Sequence, residues 1–456
     1  MLYCTFVKDK SERKEDSQVT ILEKVEHVIG AISGTVWPIF LPLVMIVGLF
    51  LIIRTFTVIQ PQTSKPSKVD AAHIVGPAVI SLGAMIGTGA IIGVLGSCSK
   101  LVGAGQVQLE ALAIWALIGS LIMVPVSYAE TLIAKVMKQT PKEYIGNLLT
   151  PGLAMIYAVG FCALHIFGFG GFQFSGIDSV VTIITGEYLN ISLSEVQRWL
   201  FIVLPLVAAV SLVVLSRKHH VFISAMTYMI SIAVGAYIVF FIFFFIKTLD
   251  YLPTYLAGMI EGLTNPVNAG LGMPMGFILG IQRVLQSSET GLGTLGMSAR
   301  EADSEPREAA IVSLLPTCIT IVLSILVTTY IASYGETHGL IALPAEGIER
   351  LKGYFLTAQE IAGSFGLIVL CVFSLLSGLS VLLSSYYFLS TLFNGKENTN
   401  IIIYIIAIFS AGTLAVFGFN IVFDVVDLLL FVVCAINMAA LTVFAVNKWK
   451  DYRLND

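Results

Sequence analysis

The chain has 456 residues, 57% hydrophobic and only 12% charged, with a formal net charge of −4 and a mean hydropathy of +0.90. A soluble domain carries about 25% charged residues. This composition therefore excludes a soluble enzyme and a disordered chain and, with no basic patch, a nucleic-acid binder. Long apolar runs instead of alternating segments exclude a β-barrel, which leaves an all-α polytopic membrane protein embedded in lipid.

A spanning helix needs about 20 mostly apolar residues. In chain order, the runs 34–53, 72–96, 111–134, 153–175, 200–216, 221–246, 271–294, 309–334, 361–393, 401–422 and 425–447 predict eleven spans. A charged N-terminal tail, 1–33, precedes them and a short cytoplasmic tail, 448–456, follows. The first apolar run is too long and too late for a cleavable signal. The run 361–393 is long enough to tilt, and 200–216 is short but bounded by Arg198 and Arg217. Between 247 and 270 the sequence predicts a long loop holding a short surface helix. Cys4, Cys98, Cys162, Cys318, Cys371 and Cys434 lack CxxC spacing and read as free thiols filling apolar space, not as disulfides or metal ligands.

Loop cations set orientation. Arg54, Lys65, Lys68, Lys135, Lys138, Lys142, Arg217, Lys218, Arg300, Arg307, Lys396 and the C-terminal Lys448, Lys450 and Arg453 fall on one side. Lys100, Arg198, Lys247, Arg350 and Lys352 fall on the other. The C-terminus is expected in the cytoplasm and the N-terminus outside a plasma membrane.

Setting the first span aside as an extra N-terminal helix leaves 72–246 and 271–447, nearly equal in length, with five spans each. An odd number of spans gives the two halves opposite topology, and the first span of each is unusual. Interrupted spans at matching positions of two inverted halves point to the binding site of a secondary transporter. The first, Ser81 to Gly93, carries the interleaved GxxxG pairs Gly83/Gly87 and Gly89/Gly93. These glycines predict either close helix packing or an unwound turn at Gly87-Thr88-Gly89. Unwinding would free amides that suit a carboxylate and carbonyls that suit a hard cation such as Na⁺.

The second segment, Gln282 to Thr294, includes Arg283, Gln286, Ser287, Ser288 and Glu289. So much polarity in a span is costly unless it lines a cavity. Glu289 is expected either to satisfy backbone amides at a break or to pair with Arg283, and Arg283 to close a gate. Glu130 is expected as an interfacial charge paired with a lysine, and His165 as a core histidine with its hydrogen bonds satisfied. Asp424 and Asp427 are expected as solvated carboxylates at the outer end of the last span. Ser374, Ser377, Ser380, Ser384 and Ser385 would mostly bond their own backbone. A pair three apart, such as Ser377 and Ser380, can instead offer hydroxyl oxygens to Na⁺ from one face.

No HExxH, GxGD or P-loop sequence occurs, and no loop is long enough for an ATPase domain. A pump, an ATPase subunit and an enzyme are therefore not expected. No cofactor is expected beyond a coupling ion.

The run Gly87-Thr88-Gly89-x-Ile91-x-Gly93-Val94 resembles the first core helix of the alanine or glycine:cation symporters, the sodium:alanine symporter family. Gly119 to Ala134, with Tyr128-Ala129-Glu130-Thr131-Leu132, is similar to the helix that follows there. Gln282-Arg283 through Ser287-Ser288-Glu289-x-Gly291-Leu292-Gly293 resembles its broken sixth core helix. The resemblance covers nearly the whole chain. It implies an inverted 5+5 (LeuT-like) fold with one extra N-terminal helix, importing a small neutral amino acid with Na⁺ by alternating access. It also implies a substrate site of Thr88, Gly89, Gln173, Gly176, Gln286, Ser287 and Ser288. By position in the motif, it places a Na⁺ site at the Gly83 and Ile86 carbonyls and the Ser377 and Ser380 hydroxyls.

This sequence departs from the family pattern at several wall positions. Ala90 stands for an Asn, Gln286 and Ser288 for a Phe and an Asn, and Val381 follows Ser380 where a Trp is usual. The loop Val102 to Gln106 replaces Gly-Gly-Pro-Gly-Ala, and Gly176 falls where a Gln is expected, with Gln173 one turn away. The resemblance thus implies the scaffold and the transport class more than alanine itself. H⁺ coupling, another substrate, or a sensor that binds an amino acid without moving it remain alternatives.

Overall fold

A computed structural model describes residues 32, 34–57, 71–268, 272–301, 304–345, 347–393, 395, 397–417 and 421–448. The expected tails at 1–33 and 448–456 lie almost wholly outside the described residues, as do Cys4, Lys65, Lys68 and the side chain of Asp424.

The regular elements are helices. They are α1 (Gly34–Thr57), α2 (Ala71–Met85), α3 (Gly89–Gly103), α4 (Ala111–Met137) and α5 (Pro141–Leu148). Next come α6 (Pro151–Tyr188), α7 (Glu195–Leu215) and α8 (His219–Lys247), then α9 (Leu252–Thr264), α10 (Met275–Ser288) and α11 (Thr294–Ser298). The last four are α12 (Pro306–Thr337), α13 (Gly347–Leu392), α14 (Glu397–Val416) and α15 (Ile421–Val443). Among the described residues ten helices, not eleven, are long and apolar enough to cross a membrane, α2 and α3 counting together from Gly76 to Gly103. The difference lies at 271–294, where the expected span is divided. Helix α10 ends at Ser288 and α11 is only 5 residues long.

Local chemistry sets the helix ends. Thr140 caps α5 in a capping box with Glu143, followed by Pro141, and Thr150 caps α6 ahead of Pro151. Ser194 and Gln197 form a second capping box at the start of α7. Such caps each stabilise a helix end by about 1 kcal/mol. The loop expected between 247 and 270 does hold a helix, α9, whose Tyr255, Met259 and Gly262 are buried where it packs on α4. The described cysteines are free, and Cys98, Cys162 and Cys434 are buried.

The interrupted pair α2–α3 is central. Its apolar window is 78% buried, against 28% for α8 at the periphery. Helix α2 packs on α8, α12 and α13, and α10 packs on α3, α4 and α12. Close backbone approach occurs where α10 crosses α4. A Cβ on Gly280 would lie 2.9 Å from the Ala116 nitrogen and 3.1 Å from the Leu112 carbonyl oxygen. Backbone cannot yield as a side-chain tip can, so this crossing tolerates only glycine.

Substituting Gly280→Val should accordingly lower the thermal midpoint of the detergent-solubilised protein. The expected cost is about 1–3 kcal/mol of overpacking. Gly235→Ala, exposed on α8 with nothing within 4 Å of its Cβ, should be neutral or raise the midpoint, since a helical glycine costs about 0.5–1 kcal/mol relative to alanine.

Candidate functional site

Helix α2 stops at Met85 and α3 starts at Gly89, so the chain unwinds over Ile86–Thr88. The predicted unwound turn is present, and close packing is present beside it, since a Cβ on Gly83 would lie 2.5 Å from Met226 Cε. A Cβ on Gly87 would collide with the Gln173 carboxamide. One on Gly176 would collide with the Thr88 hydroxyl. One on Gly93 would lie 2.6 Å from the Arg283 Nη1. These glycines are seats for polar side chains.

Unwinding leaves backbone groups without helical partners, an expensive state away from water. On the carbonyl side, Gly83 O accepts the Ser380 hydroxyl at 3.1 Å, while the carbonyls of Ala84, Met85 and Ile86 accept no hydrogen bond among the described residues. On the amide side, Gln173 Oε1 accepts from both the Thr88 N–H at 2.7 Å and the Thr88 hydroxyl at 2.9 Å. Gln173 Nε2 in turn donates to Phe169 O at 2.9 Å. The amides of Gly87 and Gly89 have no acceptor among the described residues, and both glycines border a cavity of about 550 Å³.

That cavity brings together most of the expected substrate residues. Gly89, Gln173, Gly176, Gln286 and Ser287 line it, with Arg283 and Glu289. Two expected residues do not serve as foreseen. The Thr88 N–H and hydroxyl are occupied by Gln173, so an anion at this turn would meet Gly87 and Gly89. The Ser288 hydroxyl is buried behind the wall, donating to Val284 O at 2.7 Å and lying 2.9 Å from the Thr290 hydroxyl. From Gly87 the cavity runs along α3 to Lys100, with Arg350 beside Gly96 and Asp427 beside Gln286.

The expected cation residues lie behind this wall. Ser380 Oγ bridges Gly83 O and Ser377 O, and Ser384 and Ser385 bond their own backbone as expected. The Ser377 hydroxyl, one turn away, is buried without a partner. The donor set is therefore oxygen-rich, with carbonyls of the broken end to spare, which is the chemistry a hard cation takes.

The second break differs. Glu289 adopts φ 48°, Gly291 φ 82° and Gly293 φ 96°, the left-handed region that favours glycine. Glu289 does not satisfy the freed amides. Glu130 does, accepting from Gly291 N–H at 2.6 Å. Glu130 is thus no interfacial charge paired with lysine, because it is fully buried in the turn its partner helix opens. Asn437 Nδ2 donates to Gly291 O at 2.8 Å and Tyr157 donates to Leu292 O at 2.5 Å. Tyr144 donates to the Asn437 carboxamide oxygen. Arg283 forms no ion pair with Glu289, since its guanidinium turns away onto Gly93. Glu289 Oε2 instead lies 3.8 Å from His165 Nε2. His165 is buried as expected, but neither ring nitrogen has a hydrogen-bond partner. Phe161 stacks on it at 4.2 Å, with Phe169 and Phe388 edge-on.

Sequence reading also missed Asp427, which is not simply solvated. Its Oδ1 accepts from Gln286 Nε2 at 2.6 Å. A lone Asn in an apolar span, as at Asn437, was a usable signal. Tyr157 carried none, because tyrosine in an apolar run reads equally well as packing.

A helical membrane protein with a polar cavity at an interrupted central helix is a secondary transporter in outline. The model of the sodium:alanine symporter family matches residues 22–455, and the chain belongs to that family of sodium-coupled transporters. Among solved structures it is similar to a Na⁺-coupled sialic acid symporter in a substrate-bound outward-open state, at 12% identity and a TM-score of 0.50, over 86% of this chain and 82% of that one. The likeness extends to the fold. No curated protein matches.

Replacing Gln173 with Ala should lower the thermal midpoint by an amount equivalent to about 1–3 kcal/mol, the cost of leaving a buried backbone donor unpaired. Glu130→Ala should cost at least as much. Both are read from unfolding midpoints of the solubilised protein.

Proposed function

We propose that the protein imports a small neutral amino acid together with Na⁺ by alternating access across the plasma membrane. In this reading Met275–Ser298 is an eleventh, interrupted span, and 72–246 and 271–447 are inverted five-span repeats after one extra helix. The C-terminus is cytoplasmic, so the end of the cavity at the exposed Lys100 faces outside.

One observation supports this reading most directly. A single unwound turn presents opposite polarities to its two sides. The open amides of Gly87 and Gly89, at the start of α3 and its positive dipole end, border the cavity and suit the substrate carboxylate. The Gly83 and Ile86 carbonyls, with the Ser377 and Ser380 hydroxyls, suit Na⁺ as cosubstrate. The ammonium group would lie toward Ser287 and the Gln173–Gly176 turn. Both ligands would then hold the same few residues. That is how a cation gradient can be coupled to amino-acid movement, because each ligand stabilises the turn the other needs.

A second reading, coupling to H⁺, is favoured by one specific pair. His165 and Glu289 face each other without hydrogen-bond partners for either ring nitrogen or for Glu289 Oε2, and such a pair can hold one proton between them.

Uptake of labelled amino acids into proteoliposomes distinguishes the two readings. Accumulation only under an inward Na⁺ gradient is expected. Accumulation driven by an H⁺ gradient alone selects the second reading, and none under either gradient excludes both. Ser377→Ala and Ser380→Ala should each raise the Na⁺ concentration for half-maximal uptake by roughly tenfold, the effect of losing about 1.4 kcal/mol of ligand affinity, with less effect on maximal rate.

A further inference from the structure

From the cavity wall we infer that the preferred substrate is an amino acid with a carboxamide side chain, selected by Gln286, Asp427 and Arg283. This rests on the reading of the cavity as an amino-acid site and names the substrate class for it. At Gln286 the family pattern has a phenylalanine. Here the Gln286 Nε2 donates one hydrogen to Asp427 Oδ1 at 2.6 Å. That leaves its oxygen as an acceptor and its second N–H as a donor on a residue that borders the cavity. Asp427 keeps its second oxygen.

Arg283 borders the same cavity, with Nε buried and unpartnered and no ion pair among the described residues. The wall therefore offers acceptors and donors side by side. A carboxamide matches both, its NH₂ to Gln286 or Asp427 and its C=O to the Arg283 guanidinium.

Each ionic neighbour is drawn and opposed at once. A side-chain carboxylate attracted by Arg283 would meet Asp427, and a side-chain ammonium attracted by Asp427 would meet Arg283 and Arg350, whereas a neutral carboxamide meets no like charge. An alanine methyl group would satisfy none of these groups and would desolvate them. Sites built to hydrogen-bond a substrate group reject analogues that lack it far more strongly than apolar pockets reject a missing methylene. The cavity, about 550 Å³, also has room well beyond an alanine side chain, and Val381 on its wall opens space where the pattern has a tryptophan.

The test is a competition-binding assay on the full-length protein in lipid nanodiscs with Na⁺, using L-glutamine, L-asparagine, L-alanine and L-glutamate. Glutamine or asparagine should bind at least about tenfold tighter than alanine, the worth of one hydrogen bond to a charged group, and tighter than glutamate. Gln286→Phe should erase or invert that preference. Asp427→Asn, which keeps shape and folding, should weaken the amides selectively. Alanine binding as tightly as glutamine, or glutamate binding more tightly, overturns the inference while leaving an amino-acid transporter standing. Equal weakening of alanine and glutamine by Asp427→Asn also overturns it, because Asp427 would then serve the common ammonium. Failure of every amino acid to bind, with the protein monodisperse, overturns the cavity reading as well.

Discussion

Backbone amides and carbonyls released where a helix unwinds must be satisfied without bulk water, and the two interruptions in this protein meet that demand differently at their amides. At the first, Gln173 takes the Thr88 N–H, while the amides of Gly87 and Gly89 and three of the four freed carbonyls find no protein partner among the described residues. At the second, Glu130, Asn437 and Tyr157 engage the turn from three different helices. An unmade buried backbone hydrogen bond costs about 1–3 kcal/mol, so the first turn stores an unmet demand that a ligand can fill. At the second, the protein itself holds the turn at Gly291 and Leu292. The first break thus borders the cavity with open amides, and the helix ahead of the second brings Gln286, Ser287 and Arg283 to the same space.

Much of the fold was legible because the bilayer simplifies the code. Lengths of apolar run give the spans, and glycine clusters in the wrong place for a stable helix give the break at Gly87. The division of 271–294 was harder to see as two helices, since Ser288, Glu289 and Thr290 signal a polar site as readily as a helix end. Of the candidate substrate residues, those whose motif position fixes their face, such as Gly89 and Gln286, do border the cavity. Thr88 and Ser288 sit beside them in sequence, but each turns to a protein partner, which neighbouring positions cannot reveal. Glu130, Asn437 and Asp427 belong to partner helices far away in the chain. Their roles depend on which helix lies opposite, a tertiary fact that periodicity does not carry.

Charged residues in a membrane core need partners or water, and this protein gives them the cavity. Glu130 is spent on backbone, while Arg283 and Asp427 line the same 550 Å³ space, where among the described residues Gln286 alone bonds either of them. Membership of the sodium:alanine symporter family accounts for the scaffold. Four of the positions that differ from its pattern, Ala90, Gly176, Gln286 and Val381, are on the cavity wall, while Ser288 is buried behind it.

The glycine seats have a consequence for how this protein can change over time. At Gly87 and Gly93 one added methyl group strikes a polar side chain of the cavity, Gln173 or Arg283, and at Gly176 it strikes the Thr88 hydroxyl that bonds Gln173, whereas at Gly235 it meets nothing. Glycine-to-alanine exchange, ordinarily among the gentlest steps open to a helix, is here a direct displacement of polar side chains at the cavity. On the proposed reading, drift toward a new solute is channelled through wall side chains such as 286 and 427, while the glycines seating Gln173, Arg283 and Thr88 must stay as they are.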